Sequence, residues 1–328
     1  TLISVNWIGT RTLLLNTAAS KAEMTSQITE QRVQQIVGPA TALLRVLALD
    51  TVADATTLEQ RLRRLRVFTT NLRANPLLTA VYIGYDNGDY FLVSPLNNPE
   101  IRQNYAAPAK ASFVIRTSIE REGNKEHQLF FYDQQLNFLE QRAALDYVYD
   151  PRQRPWYHNA FTTTDVAISK PYIYADTPLI GITLSMRSSN PRAIVAMDLP
   201  LVGINEALQK FSITPNSQIA LVDHQGAVIA SNTAASLPPP SALSTSLQLP
   251  TLSSLEHRAL LRLWQLQPKQ QVLSYRSEDQ EWLGRRIQLP EYRNLGLQLL
   301  IATPTKELLS DLYQQSRQMI VIAISLGV

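Results

Sequence analysis

Residues 79–93 read Thr79-Ala-Val-Tyr-Ile-Gly-Tyr-Asp-Asn-Gly-Asp-Tyr-Phe-Leu-Val93. Two runs rich in aromatic and β-branched residues flank Asp86-Asn-Gly88, a tight-turn signal, so the stretch predicts a hairpin with strands at 79–85 and 89–93. The pattern returns about 137 residues later, the mark of an internal repeat. There Gln218-Ile-Ala-Leu-Val222 and Ala227-Val-Ile-Ala-Ser231 flank Asp223-His-Gln-Gly226. The closing strands echo too. Ala193-Ile-Val-Ala-Met-Asp-Leu199 runs into a helix expected at 202–211, and Leu297-Gln-Leu-Leu-Ile-Ala-Thr303 runs into a C-terminal helix. Consistent order with weak identity implies two similar α+β modules in tandem.

Working outward, further strands are expected at 112–120, 125–133, 137–142, 180–188 and 192–199. Turn residues separate them at Arg121-Glu-Gly-Asn124 and Ser188-Ser-Asn-Pro-Arg192. The run Ser236-Leu-Pro-Pro-Pro-Ser241 reads as a surface loop of the second module. Ahead of the first hairpin, residues 13–49 carry an apolar stripe at helical spacing (Val33, Ile36, Val37, Ala40, Leu44, Leu47), which Gly38-Pro39 is expected to kink rather than end. A second helix is expected at 56–74, stopping before Asn75-Pro76. Its cationic run of Arg61, Arg63, Arg64 and Arg66 reads as a solvated helix face, with a headgroup or partner contact as the alternative. The fold class is therefore α+β, in four parts: a helical stalk (1–75), a first module (76–212), a second module (213–304) and a C-terminal helix (305–328).

Composition removes several functions. The 328 residues are 45% hydrophobic with a net charge of +3. That suits sizeable cores and offers no basic face dense enough for nucleic acid. There is no cysteine, hence no disulfide, thiolate metal site or cysteine nucleophile. His127, His158, His224 and His257 show no zinc-ligand spacing, and no nucleophile elbow or phosphate loop occurs. Asp86-Asn-Gly-Asp89 lacks the downstream ligands of a calcium loop. No metal, cofactor or catalytic residue is expected. Both ends look membrane-like. Leu2, Ile3, Val5, Trp7 and Ile8 fit the exit of one span, and Met319–Val328 the start of another. A buried C-terminal helix is the alternative.

The chemistry is concentrated in Tyr147-Val-Tyr-Asp-Pro-Arg-Gln-Arg-Pro-Trp-Tyr157. Two prolines stiffen a loop that carries guanidinium forks suited to a carboxylate and aromatic walls with a hydrogen-bond donor each. The segment resembles the signature of the double Cache sensor domains of bacterial receptors, and the likeness covers nearly the whole chain. It implies two PAS-like modules and a ligand pocket in the membrane-distal one. It further implies that Arg154 and Trp156 hold a ligand carboxylate, while tyrosines and a later acid hold its ammonium. Tyr149 and Tyr157 fit the pattern, Tyr172 and Tyr174 compete for a further tyrosine position, and Asp198 fits the acid. Arg152 reads as a structural partner of Asp150 or as solvated. Trp282 and Tyr292 of the second module read as core.

The expected protein is a non-catalytic extracytoplasmic sensor in an inner-membrane receptor. Its expected partners are a small molecule (an amino acid first, another small carboxylate or amine second), the membrane and a second copy of the chain. A structural or partner-binding extracellular module is the competing class. A secreted enzyme, a glycosidase carboxylate pair included, is the third.

Overall fold

The computed structural model describes residues 2–121, 124–144, 149–175, 177, 179–233, 249–254, 257–267, 272–289 and 296–310, with side chains from residue 16 onward and without that of Arg121. Tyr147, Tyr292, the 236–241 run and Met319–Val328 lie outside them.

A single helix, α1 (Leu2–Ala48), opens the chain and carries Pro39 inside it. At 1.5 Å per residue it is ~70 Å long. The predicted second helix is two. α2 (Leu58–Arg63) begins with a Thr57–Gln60 capping box, and α3 (Leu65–Ala74) follows Arg64, whose ψ of 0° breaks the α ladder. The run of arginines differs from its reading as a solvated face. Arg63 and Arg66 are exposed, but Arg61 is 1% exposed, bonded to Asp89 at 2.6 Å and lying 4.2 Å from the Tyr85 ring centroid. Its partner lies in the first hairpin turn, out of reach of any local charge pattern.

The described residues form two compact units. One holds residues Gln35–Ile204, the other the described residues up to Gln34 and from Asn205 onward. These cuts differ from the boundaries read after 75 and 212, because α1 contributes to both units and residues 35–75 group with the first sheet.

In the Gln35–Ile204 unit the strands are β1 (Ala80–Tyr85), β2 (Tyr90–Pro95), β3 (Phe113–Arg121), β4 (Asn124–Tyr132), β5 (Phe138–Ala143), β6 (Ala167–Ile168), β7 (Tyr172–Ile173), β8 (Ile180–Arg187) and β9 (Ala193–Pro200). They form one antiparallel sheet in the order β5-β4-β3-β2-β1-β9-β8-β6, with β7 paired to β8. A helix not read from the sequence, α4 (Pro99–Asn104), follows β2, capped by Asn98 with Pro99 in its first turn. β1, β2 and β9 are buried on both faces. The odd-numbered face of β1 and β2 meets the helices, with the Phe68 and Phe91 rings 5.3 Å apart. The even-numbered face is left for the 149–157 segment.

The other unit repeats the plan. Here β10 (Gln218–Val222), β11 (Val228–Ser231), β12 (Leu273–Ser277), β13 (Gln280–Gln288) and β14 (Gln298–Pro304) run in the order β11-β10-β14-β13-β12. That is the order β2-β1-β9-β8-β6 again. The two hairpin turns match as well. Tyr85 N donates to Asp89 O and Gly88 N to Tyr85 O, while Asp223 N donates to Ala227 O and Gly226 N to Asp223 O. The glycines have φ of 84° and 82°, the left-handed region that closes such a turn with a bulge. α6 (Leu201–Lys210) joins the sheets in sequence. α7 (Arg258–Leu266) covers the second sheet, and Trp282 is in that core as expected. α8 (Thr305–Leu308) follows β14. Among the described residues no helix is long and apolar enough to cross a membrane.

Candidate functional site

The 149–157 segment reaches the sheet as a chain of short constraints. Asp150 caps a single 3-10 turn, Pro151–Gln153, by accepting from Arg152 N, and its carboxylate also takes the Arg152 guanidinium at 2.7 Å. Arg152 is thus Asp150's partner, as the sequence suggested. Arg154 precedes Pro155 and is held extended at φ −94°, ψ 147°, since a residue before proline is disfavoured in the α region. Helix α5 (Pro155–Asn159) then starts with proline at its first position and turns Trp156 and Tyr157 inward.

Trp156 is 1% exposed and fixes the segment to the sheet. Its ring meets Tyr82 edge-on at 4.9 Å, and its Nε1–H donates to Tyr149 Oη at 3.2 Å. Gly84 makes room for it: a Cβ there would lie 2.7 Å from Trp156 Cη2 and 2.8 Å from Pro151 Cβ. Tyr149 packs on Tyr90, ring centroids 4.5 Å apart, and the Arg154 guanidinium carbon stands 5.4 Å from the Tyr149 ring. The buried Nε of Arg154 has no hydrogen-bond partner among the described residues. Tyr157 packs between Trp156 and Phe161.

Asp198 ends the other side of this constellation. It is 6% exposed on β9, and its Oδ1 accepts from Tyr82 Oη and Thr183 Oγ1, each at 2.6 Å. Thr183 has one proton and gives it to Asp198, so Tyr172, at 2.6 Å from Thr183 Oγ1, donates to that oxygen. Burial, reinforced by the Asp198 charge, pushes the Tyr82, Tyr172 and Tyr174 phenols well above their ordinary range and keeps them protonated as donors. Tyr174 is engaged differently. Its hydroxyl donates to the Ile182 carbonyl at 2.8 Å, with its ring 5.5 Å from that of Tyr172.

Tyr149, Trp156, Tyr157 and Tyr172 therefore belong to one cluster with Tyr82 and Tyr90, and Asp198 is bonded into it. Sequence reading did not single out Tyr82, Tyr90 or Thr183. The available signal was register. Once β1 pairs with β9 at Ala80–Asp198 and β8 with β9 at Thr183–Asp198, these side chains share a face. Chemically, the arrangement offers a fixed cation and a fixed anion joined by the rings of Tyr149, Trp156 and Tyr82, as a zwitterion requires.

No family model matches the chain. Adenylate cyclase 1 of Rhizobium meliloti (strain 1021) is 30% identical over 167 residues, half of this chain and 25% of that protein. The methyl-accepting chemotaxis protein McpB of Bacillus subtilis (strain 168) is 30% identical over 66 residues, 20% of this chain and 10% of that protein. The matched segments thus span a quarter or less of these relatives. Among solved structures, the sensory domain of the Campylobacter jejuni chemoreceptor Tlp3 aligns over 90% of this chain and 97% of that one, with a TM-score of 0.56 and 15% identity. The ligand-binding domain of the Pseudomonas fluorescens chemoreceptor CtaA, in complex with L-isoleucine, aligns over 92% and 98%, with a TM-score of 0.54 and 14% identity. That of the Pseudomonas aeruginosa PAO1 amino-acid chemoreceptor PctB, in complex with L-Gln, aligns over 92% and 96%, with a TM-score of 0.51 and 16% identity. At such identities the likeness is one of architecture. A long leading helix and two antiparallel sheets of repeated strand order give this chain the double Cache fold of chemoreceptor sensor domains.

Proposed function

We propose that the chain is the extracytoplasmic, non-catalytic sensor region of a membrane-anchored receptor, binding an L-amino acid in the Gln35–Ile204 unit. The ligand carboxylate goes to Arg154 and the Trp156 face, and its ammonium to Asp198 within reach of Tyr82 and Tyr172. One observation carries the reading. The buried Arg154 Nε lacks an acceptor among the described residues, yet Arg154 is connected through Tyr149, Trp156 and Tyr82 to a buried carboxylate. A buried donor without an acceptor costs ~1–3 kcal/mol, a cost that a ligand carboxylate removes. Support also comes from the isoleucine bound to the Tlp3 sensory domain and the L-isoleucine and L-Gln bound to those of CtaA and PctB.

Binding shifts an equilibrium only by its differential affinity for two states. The proposed output is a small displacement of the segment after β14, read by the remainder of a dimeric receptor. The two sequence relatives are compatible with a chemotaxis or a nucleotide-cyclase output. The test is a thermal-shift screen of the twenty amino acids followed by calorimetry. At ~100 times Kd a true ligand stabilises by ~2.7 kcal/mol, a rise of several degrees. Arg154→Ala is expected to weaken it ~30-fold or more. A ligand whose affinity ignores Arg154→Ala places the site elsewhere, and a hit confined to dicarboxylates or polyamines keeps the site but changes the ligand class.

A further inference from the structure

We infer that Thr183 of β8 is the positioning residue that makes the Asp198 end of the proposed site an acceptor of N–H groups, by keeping the hydroxyl protons around it turned away from the ligand. This rests on the reading of the Gln35–Ile204 unit as an amino-acid site and names how that site tells an amino group from the oxygen of a related acid.

Register sets Thr183 among the groups it arranges. It stands opposite Asp198 across β8 and β9, while Tyr172 stands opposite Gly181, one step along the same face of β8. The missing side chain at Gly181 gives Tyr174 its place, since a Cβ there would lie 1.8 Å from Tyr174 Oη. Tyr174 spends its own proton on the Ile182 carbonyl and backs the Tyr172 ring at 5.5 Å. The backbone of Thr183 is held too. Its N–H donates to Ser169 Oγ and its carbonyl accepts from Ser169 N, each at 2.9 Å.

Three hydroxyls meet at this point, and each has one proton. Tyr82 gives its proton to Asp198 Oδ1 at 2.6 Å, with Thr183 Oγ1 farther off at 3.3 Å. Thr183 gives its proton to the same carboxylate oxygen at 2.6 Å, so its lone pairs receive the Tyr172 proton at 2.6 Å. All three protons are thereby committed inside the cluster. What Tyr82 and Tyr172 can offer a bound molecule is a phenol lone pair beside a carboxylate. Such an end suits the N–H groups of an ammonium and has no hydroxyl proton to give to a ligand carbonyl, which it would leave unpaired. Remove the Thr183 hydroxyl and the Tyr172 proton must find another acceptor, so the same phenol can turn from acceptor into donor toward the ligand. The fold itself does not need this pair. At the matching place in the second sheet Gly284 stands opposite Ala302, with neither hydroxyl nor acid.

The test is calorimetric titration of the whole chain with the twenty L-amino acids and, for each one that binds, displacement by the 2-oxo acid carrying the same side chain. Thr183→Val keeps the shape and removes the hydroxyl. It is expected to weaken the amino acid ~10-fold or more and the 2-oxo acid less or not at all, so that the preference between them narrows. Thr183→Ser restores the hydroxyl and is expected to stay within ~3-fold of the unaltered chain for both ligands. A purely structural role would weaken the two ligands alike, and that result overturns the inference. So does a Thr183→Val chain that binds the amino acid as tightly as before. Either result leaves the amino-acid site standing where Arg154→Ala still weakens binding, whereas no binding by any amino acid overturns both. Should Thr183→Val fail to fold, Thr183→Cys, whose thiol is a weak donor and a weak acceptor, takes its place and must show the same narrowing.

Discussion

Asp198 sits beneath a ladder of hydroxyls from Tyr82, Thr183 and Tyr172, and that ladder sets what its replacements do. Asp198→Asn preserves shape and an acceptor for Tyr82 and Thr183, so it is expected to fold and to lose ligand affinity ~30-fold or more by calorimetry. Asp198→Ala also strips two buried hydroxyls of their acceptor and is expected to lower stability by ~1–3 kcal/mol for each one left unpaired, in a denaturant titration. The histidines give the pH dependence. Burial holds His257 below its ordinary range, its ring bonded to Ser231 at 3.2 Å, and His127 shifts the same way. A depressed folded value means the unfolded chain takes up the proton first. Stability is therefore unaffected above about pH 7.5 and falls as pH drops through about 6.5. His257→Gln is expected to flatten part of that fall in melting temperature between about pH 7.5 and 5.5, before the carboxylates titrate. An unchanged slope would show that His257 does not contribute to it.

Elements explain both what could be read early and what could not. The hairpins around Gly88 and Gly226 were legible because turn chemistry and β-rich flanks agree locally. β6 and β7, of two residues each, are too short to leave a period, and β13 alternates poorly because Trp282, Leu283 and Gly284 are buried in succession. The site followed the same division. Tyr149, Arg154 and Trp156 sit in a compact segment with recognisable spacing. Tyr82 and Thr183 are ordinary strand residues until register gives them a face. Arg61 was misread for a related reason, as its partner is fixed only when α2 packs on the first hairpin. Arg61→Ala leaves Asp89 buried without its cation and is expected to cost ~3–5 kcal/mol of unfolding free energy. Gly84→Ala would drive a methyl into Trp156 and Pro151, two side chains with little freedom to yield. It is expected to cost ~1–3 kcal/mol and to loosen ligand binding with it.

At the scale of the molecule, the repeat shows which half keeps the polar site. Counting back equally from the two turn glycines matches Ala80 with Gln218 and Tyr82 with Ala220. The strand pairs then match Asp198 with Ala302 and Thr183 with Gly284. The hydroxyls and the carboxylate of one sheet are thus methyl groups and a glycine in the other. There Leu263 and Tyr275 press on Gly284, within 2.7 Å of where a Cβ would stand. One ligand per chain is the expected calorimetric stoichiometry, and two equivalent sites would contradict this matching. The strand order has one more consequence. Each sheet places its first and last long strands side by side, Ala80 against Asp198 and Gln218 against Ala302, so the chain enters and leaves each sheet at one spot. Such a module behaves as a cassette. Exchanging residues 79–200 for the matching stretch of a relative, with Asp89 and Phe91 kept as the partners of Arg61 and Phe68, is expected to transplant ligand preference through two adjacent seams.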